Sequence, residues 1–261
     1  MLATPLLITF AVKEESAPFQ KLIGSRPDLR VLLTGIGQRA AAKKLRNALN
    51  GQSPGLVLSC GFAGGLDPAL TIGTVVFSAD EDLMDTANPP PAAPRDGKQI
   101  SDARGQLPSR EGSDMSSVRR NATAQPALLF PALLAAGARP VRFHCADRIA
   151  VTVKEKQTLR QSTGADAVEM ESGVIRAVCH ECKIPSATVR VISDVAQEDL
   201  PLDFNLFLDG EQNFSFGKLA LALLKSPAKA NALLKLQKQT QAAAEKLAEV
   251  LVKVLANFPA A

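Results

Sequence analysis

Apolar positions follow two rhythms along this chain. Largely apolar, β-branched runs at 5–12, 29–34, 55–60 and 73–78 predict strands, and residues 38–50 between the second and third read as a helix. A helix over 122–136, a strand region over 138–153 and a basic helix start at 154–161 continue the alternation. The spacing of Val174, Ile175 and Val178 suits one face of a further helix ending before Pro185, and Ser186–Val191 is apolar enough for a buried strand. Residues 217–257 predict two helices, split at Ser226–Pro227. Strands alternating with helices imply an α/β fold with a mixed central sheet flanked by helices. Residues 85–120 break the rhythm: they are rich in Pro, Gly, Ser and charge, which predicts a surface loop, disordered or acting as a lid. An irregular acidic connection is expected over 197–216.

Composition narrows the picture. At 261 residues and 46% hydrophobic content the chain can bury one large core, so a single domain over 1–261 is expected. Net charge is +4, but basic residues are interleaved with acids, and Trp and Tyr are absent, so nucleic-acid binding gains little support. Cysteines at 60, 145, 179 and 182 do not resemble a secreted disulfide framework and read as reduced thiols in a cytoplasm. No stretch approaches the roughly 20 apolar residues that span a bilayer. The basic, apolar carboxy-terminal helix admits peripheral membrane contact, although such a stripe also packs on its own domain. His144, His180 and the Cys179-x-x-Cys182 pair do not complete a metal site, so neither metal nor cofactor is expected.

The candidate chemistry concentrates in residues 165–196. Glu169 and Glu171 flank Met170 just ahead of a helix, and the strand at 186–191 carries Arg190 and runs into Ser193 and Asp194. In an open α/β sheet, ligands bind outside the carboxyl ends of strands, where these last residues fall. Each also has a plainer reading: Asp194 as a helix N-cap, Glu171 as a helix-start acid, Met170 as core filler, Arg190 as a structural partner of a glutamate. Gly35 and Gly37 sit between a strand and a helix, where backbone amides can hold an anion, and Gly61, Gly64 and Gly65 permit close backbone approach or a tight turn.

AVEMES at 167–172 followed by VRVISDVA at 189–196, with TGIG at 34–37, SCGFAGGL at 59–66 and FAVKEE at 10–15, resembles the nucleoside phosphorylase and nucleosidase superfamily, which includes methylthioadenosine/adenosylhomocysteine nucleosidases. The resemblance implies a three-layer α/β/α fold and cleavage of a purine N-glycosidic bond. That reaction needs a proton on the departing base and electrostatic relief for a cation-like sugar. Asp194 then becomes the general acid toward purine N7, with Ser193 beside it. Glu171 accepts from the sugar hydroxyls, Met170 packs beneath the ribose, Glu169 holds the loop, and Arg190 orients the carboxylates. Glu15 activates the attacking water, Phe62, Ala63 and Gly64 line the base and ribose pocket, and Gly35, Gly37 and Ser59 form the anion loop, with phosphate as a co-substrate where the enzyme is a phosphorylase. Two positions depart from the pattern: Leu56 stands where phosphorylases carry a phosphate-binding arginine, and Ile149 stands where the nucleosidases stack a Phe on adenine.

GFAGGLDPAL at 61–70, DLPLDF at 199–204 and the run from Leu208 to Gln239 resemble the hopanoid-associated phosphorylases, which implies adenosylhopane as substrate and an apolar exit built from the terminal helices and Phe204, Phe207, Phe214 and Phe216. Glu169 stands where that branch has an aspartate. Relatives form dimers or larger assemblies, so a homodimer is expected. A non-catalytic nucleoside-binding protein of the same fold would be expected to lack Asp194, Glu171 or Glu15, and all three are present. A lipid-surface scaffold on the terminal helices is the remaining alternative.

Overall fold

The computed structural model describes residues 6–51, 53–78, 128–207 and 228–256. Alternation along its strands decides how the sheet is covered. In β1 (Leu6–Phe10), Ile8 and Phe10 enter one core cluster while Leu7 enters another; in β3 (Leu56–Gly65), Leu56 and Leu58 separate from Val57 in the same way. The first face is covered by α1 (Lys13–Ile23) through Phe19, by a helical stretch at 128–135 through Leu129 and Leu133, and by α5 (Ala228–Ala256) through Leu247, Leu251 and Val254. The second is covered by α2 (Gln38–Leu49) through Ala41 and Leu45 and by α4 (Ser172–Glu181) through Ile175, Val178 and Cys179. The three layers expected from the resemblance are therefore present. Full burial of side chains such as Leu45 and Leu247 contributes roughly 1.5–3 kcal/mol each.

The other elements are β2 (Leu29–Leu33), β4 (Val75–Ser78), β5 (Arg139–Val141), β6 (Phe143–Cys145), α3 (Val153–Thr163), β7 (Ala167–Glu169) and β8 (Ser186–Asp194). Eight strands among the described residues form one mixed sheet with the central order β2-β1-β3-β8-β4-β5. β2, β1, β3 and β8 are mutually parallel, and β4 runs against β8. The end of β3 also pairs with β7 through Gly64 and Gly65, and β7 in turn carries β6. Pro140 is tolerated because β5 is an edge strand.

Two expectations are corrected, and one strand is added that the sequence does not announce. The glycine run after residue 60 lies inside β3 rather than in a tight turn beyond a strand ending at 60, because β8 and β7 supply its ladder partners. The strand region at 138–153 is two three-residue strands followed by irregular chain and the start of α3. Ala167–Glu169, the run leading into the acidic couple, is itself a strand. The helix predicted over 217–225, the loop at 85–120, and Phe214 and Phe216 lie outside the described residues. α5 is described from Ala228, and the split expected at Ser226–Pro227 also lies outside the described residues.

Because β1, β3 and β8 are parallel, their carboxyl ends share one edge of the sheet. Register then sets neighbours there: Gly61 lies opposite Arg190 and Gly64 opposite Asp194, with Ser193 as the extra residue of a bulge between Ile192 and Asp194.

Candidate active site

Glu15 lies in the first turn of α1, immediately beyond β1, and its carboxylate turns back into the sheet edge. Oε2 accepts from the backbone amides of Ala11 (2.8 Å) and Val12 (3.2 Å), and Oε1 accepts from that of Phe62 (2.9 Å). The side chain is buried. Burial pushes its carboxyl above the usual carboxylate range, against the pull of the Phe62 amide, the Arg190 charge and the other two amides. Gly61 makes this seat available: a Cβ there would stand 2.7 Å from Glu15 Oε1, and its φ of +151° also disfavours a side chain. Gly61→Ala is expected to lower stability by about 1–3 kcal/mol and to displace Glu15. A thermal melt and a kcat determination check this, and wild-type values for both would sink it.

Glu169 and Glu171 divide their tasks. Oε2 of Glu169 accepts from the amides of Glu171 (3.0 Å) and Ser172 (2.7 Å), and Oε1 from the Ser172 hydroxyl (2.6 Å), so this carboxylate caps the start of α4. It also accepts from Arg190 Nη2 at 2.7 Å, both side chains being buried. Burial is the strongest influence on the Glu169 carboxyl and raises it, but Arg190 and Ser172 together outweigh burial and hold it below the usual range. Arg190 further donates through Nη1 to the Ser59 carbonyl (2.6 Å) and through Nη2 to the Ser59 hydroxyl (3.0 Å). Its Nε is buried without a hydrogen-bond partner among the described residues, so one donor remains unspent.

Glu171 keeps 12% of its side-chain surface exposed. Its Oε1 accepts from the Gly37 amide at 2.8 Å, and its Oε2 stands 4.0 Å from Arg190. The anion at the start of α2 is thus the chain's own carboxylate, while the Gly35 amide donates to the Ala11 carbonyl. Burial first, then the Glu169 and Glu15 charges, lift the Glu171 carboxyl to about 7 despite Arg190 and the Gly37 amide. Three carboxylates share one guanidinium here. The sign follows: a carboxyl raised in the folded state stabilises the protein below its unfolded value of 4.5, and that contribution is lost as pH rises towards 7. In the role expected for Glu171, as acceptor from sugar hydroxyls, binding runs the other way, because the ionised carboxylate is the better acceptor. Between pH 6 and pH 8, ribose-ligand affinity is expected to rise about tenfold while stability falls. Calorimetric titration and melts across that range test it, and Glu171→Gln should flatten both trends.

Asp194 closes β8. Its Oδ2 forms an ion pair with Lys156 Nζ at 2.7 Å, and its Oδ1 accepts from the Ser193 hydroxyl at 2.8 Å. Ser193 lies close to the Ala63 carbonyl as well, at 3.3 Å. Gly64 is pressed against the acid: a Cβ there would lie 3.2 Å from Asp194 Oδ2. Lys156, from α3, is fully buried and was read only as part of a basic helix start. The signal for it was spacing: Val153, Lys156 and Leu159 fall on one helix face, a stripe where a lysine needs a partner.

The remaining candidates divide. Met170 is buried between the two glutamates, and Phe62 joins the site through its amide. Ile149 is tied to a different part of the chain: its amide donates to Asn205 Oδ1 (2.9 Å), and Asn205 Nδ2 returns a bond to the Ile149 carbonyl (3.0 Å). Leu56 is core, 1% exposed. All four cysteines are free, and burial pushes the thiols of Cys60, Cys145 and Cys179 up to about 12. Among the described residues no cluster of three potential metal ligands occurs, and no helix is long and apolar enough to cross a membrane.

Known proteins carry the same arrangement of elements. The chain is 31% identical over 184 residues to a 5′-methylthioadenosine/S-adenosylhomocysteine nucleosidase of Glaesserella parasuis, covering 69% of this chain and 74% of that one. It is 27% identical over 201 residues to the protein of the same name from Staphylococcus carnosus, covering 74% of this chain and 80% of that one. Among solved structures, the Neisseria meningitidis nucleosidase in complex with methylthio-immucillin-A superposes with a TM-score of 0.60 at 18% identity, over 97% of this chain and 98% of that one. The futalosine hydrolase of Helicobacter pylori gives 0.53 at 18% identity, over 95% and 97%. Residues 22–256 match the family model for the phosphorylase superfamily, and with that match the chain belongs to the phosphorylase superfamily and is an enzyme of the class that cleaves N-glycosidic bonds.

Proposed function

We propose that this enzyme hydrolyses the N-glycosidic bond of an adenine nucleoside carrying a 5′ substituent and releases the free base. The observation that carries the reading is the buried Glu15 carboxylate, clasped by three backbone amides at the sheet edge that also bears Glu171 and Asp194. A carboxyl pushed up by burial is suited to take a proton from water. Glu171 receives the sugar hydroxyls, Met170 packs beneath the ring, Arg190 holds the carboxylates apart, and Asp194 meets purine N7. Water rather than phosphate as acceptor is supported by Leu56 in the core and by Arg190 already committed to Ser59 and Glu169.

The second reading is phosphorolysis of adenosylhopane. It is favoured by Ile72, Leu200, Pro201 and Leu236, which together with Glu198, Asp199, Lys235 and Gln239 line a cavity of about 120 Å³ that reaches Asp194. A cytoplasmic homodimer completes either version. Adenine release is measured from adenosine, methylthioadenosine and longer 5′-substituted adenosines, with and without phosphate, and mass in solution is measured by light scattering. Hydrolysis predicts free sugar at a phosphate-independent rate, and the homodimer predicts a mass twice 27.6 kDa. Release that requires phosphate would move the enzyme to the second reading. Failure to cleave any purine nucleoside would overturn both.

A further inference from the structure

Lys156 is the one component at the base end of this site to which no role has been given. Its ammonium is 0% exposed and its three N–H groups have three acceptors: Asp194 Oδ2 at 2.7 Å, the Val195 carbonyl at 2.7 Å and the Glu198 carbonyl at 3.0 Å. The fold spends considerable structure on delivering it. Thr152 and Glu155 form a reciprocal cap that starts α3, and Asp199 Oδ1 accepts from the Val153 amide at 2.6 Å, tying that same helix start to the chain beyond Asp194. A buried ammonium is tolerated only with compensating charge, and the compensating charge here is the carboxylate expected to meet the base.

We propose that Lys156 is the positioning residue of Asp194: together with the Ser193 hydroxyl and the bare backbone of Gly64, it holds the carboxylate in one orientation, aimed at N7 of the base, to which it hands a proton and from which, once N7 is protonated, it accepts. Without it, the carboxylate has one tether, through Ser193, and is free to rotate away or to be solvated. The proposal rests on the assignment of Asp194 to the leaving base, so its test must separate the two. A merely structural lysine, anchoring residues 195–198, would affect all ligands alike. A positioning lysine affects only ligands that donate to Asp194.

Two inert adenosine analogues make that distinction. In the 9-deaza analogue, N7 carries a hydrogen and donates. In the 7-deaza analogue, a C–H stands at that place and cannot. Affinities for both are measured by calorimetry on the full chain, on Lys156→Met and on Lys156→Gln, the latter keeping N–H donors for the carbonyls while losing the charge. Both variants are expected to weaken the 9-deaza ligand at least tenfold and the 7-deaza ligand less than threefold. Equal weakening of the two ligands, no weakening, or failure of both variants to fold would overturn the proposal. If the wild-type protein itself does not prefer the 9-deaza ligand, the assignment of Asp194 to the base fails first, and the proposal falls with it.

Discussion

Asp194→Asn is expected to lower kcat for a 5′-substituted adenine nucleoside by about 10²–10⁴-fold with little change in KM, the span of a lost general acid. In barrier terms this is roughly 3–5 kcal/mol. The substitution is nearly isosteric, so the seat against Gly64 and the Ser193 contact need not change. What changes is chemistry: an amide can orient a purine by hydrogen bonding but has no proton to release. Lys156 loses its compensating charge, yet it keeps the carbonyls of Val195 and Glu198, so the variant should melt lower while remaining folded at assay temperature. Rate and melt must therefore be measured together. An unchanged kcat in a folded variant would remove Asp194 from the mechanism, whatever becomes of Glu15. A rise in KM with kcat unchanged would make it a binding group instead.

How far the sequence carries the reader depends on the distance over which each signal acts. Largely apolar, β-branched runs and helical apolar spacing are local, strong signals, so β1, β2, β3, β4 and β8 are each legible in the sequence, as are α2 and α4. β7 is not: three residues cannot display a period, and its strand character comes wholly from pairing with Gly64–Gly65 and with β6. The glycines of β3 were misplaced for a similar reason. Propensity argues against glycine in a strand, but tertiary proximity of Glu15 and Asp194 excludes a side chain at 61 and crowds one at 64. Glu15 and Asp194 stood out only because flanking motifs resemble a known family; the residues themselves are ordinary helix-start and turn acids. The partner of Lys156 and the Gly37–Glu171 contact are illegible because they lie across 38 and 134 positions of sequence. Charge along a helix reads as solvated until its partner is known.

Replacing Arg190 by methionine should have the largest effect on stability, about 3–5 kcal/mol at neutral pH, as when one member of a buried ion pair is removed. Methionine approximates the volume of the aliphatic stem, so little of this loss is a cavity. The loss comes from Glu169, left fully buried with only its helix-capping amides and the Ser172 hydroxyl, and from Glu15 and Glu171, which lose the positive charge they share. Because Arg190 helps to hold the Glu169 carboxyl below 4.5 in the folded state, the stability it confers is present above that value and is lost as pH falls through the lowered one. The penalty of Arg190→Met should therefore be full at pH 7.5 and shrink as Glu169 becomes able to take a proton below about pH 4.5. Urea unfolding of both proteins at matched pH values measures it. A penalty that does not vary with pH would mean that Arg190 supports the sheet edge by packing and by its bonds to Ser59 alone. A penalty that falls with pH would identify charge balance among Glu15, Glu169 and Glu171 as what this arginine maintains. Burial first, and then the Glu169 and Glu15 charges, lift the Glu171 carboxyl to about 7 against the pull of this guanidinium, so the stability of this sheet edge and the expected capacity of Glu171 to receive a sugar both depend on Arg190.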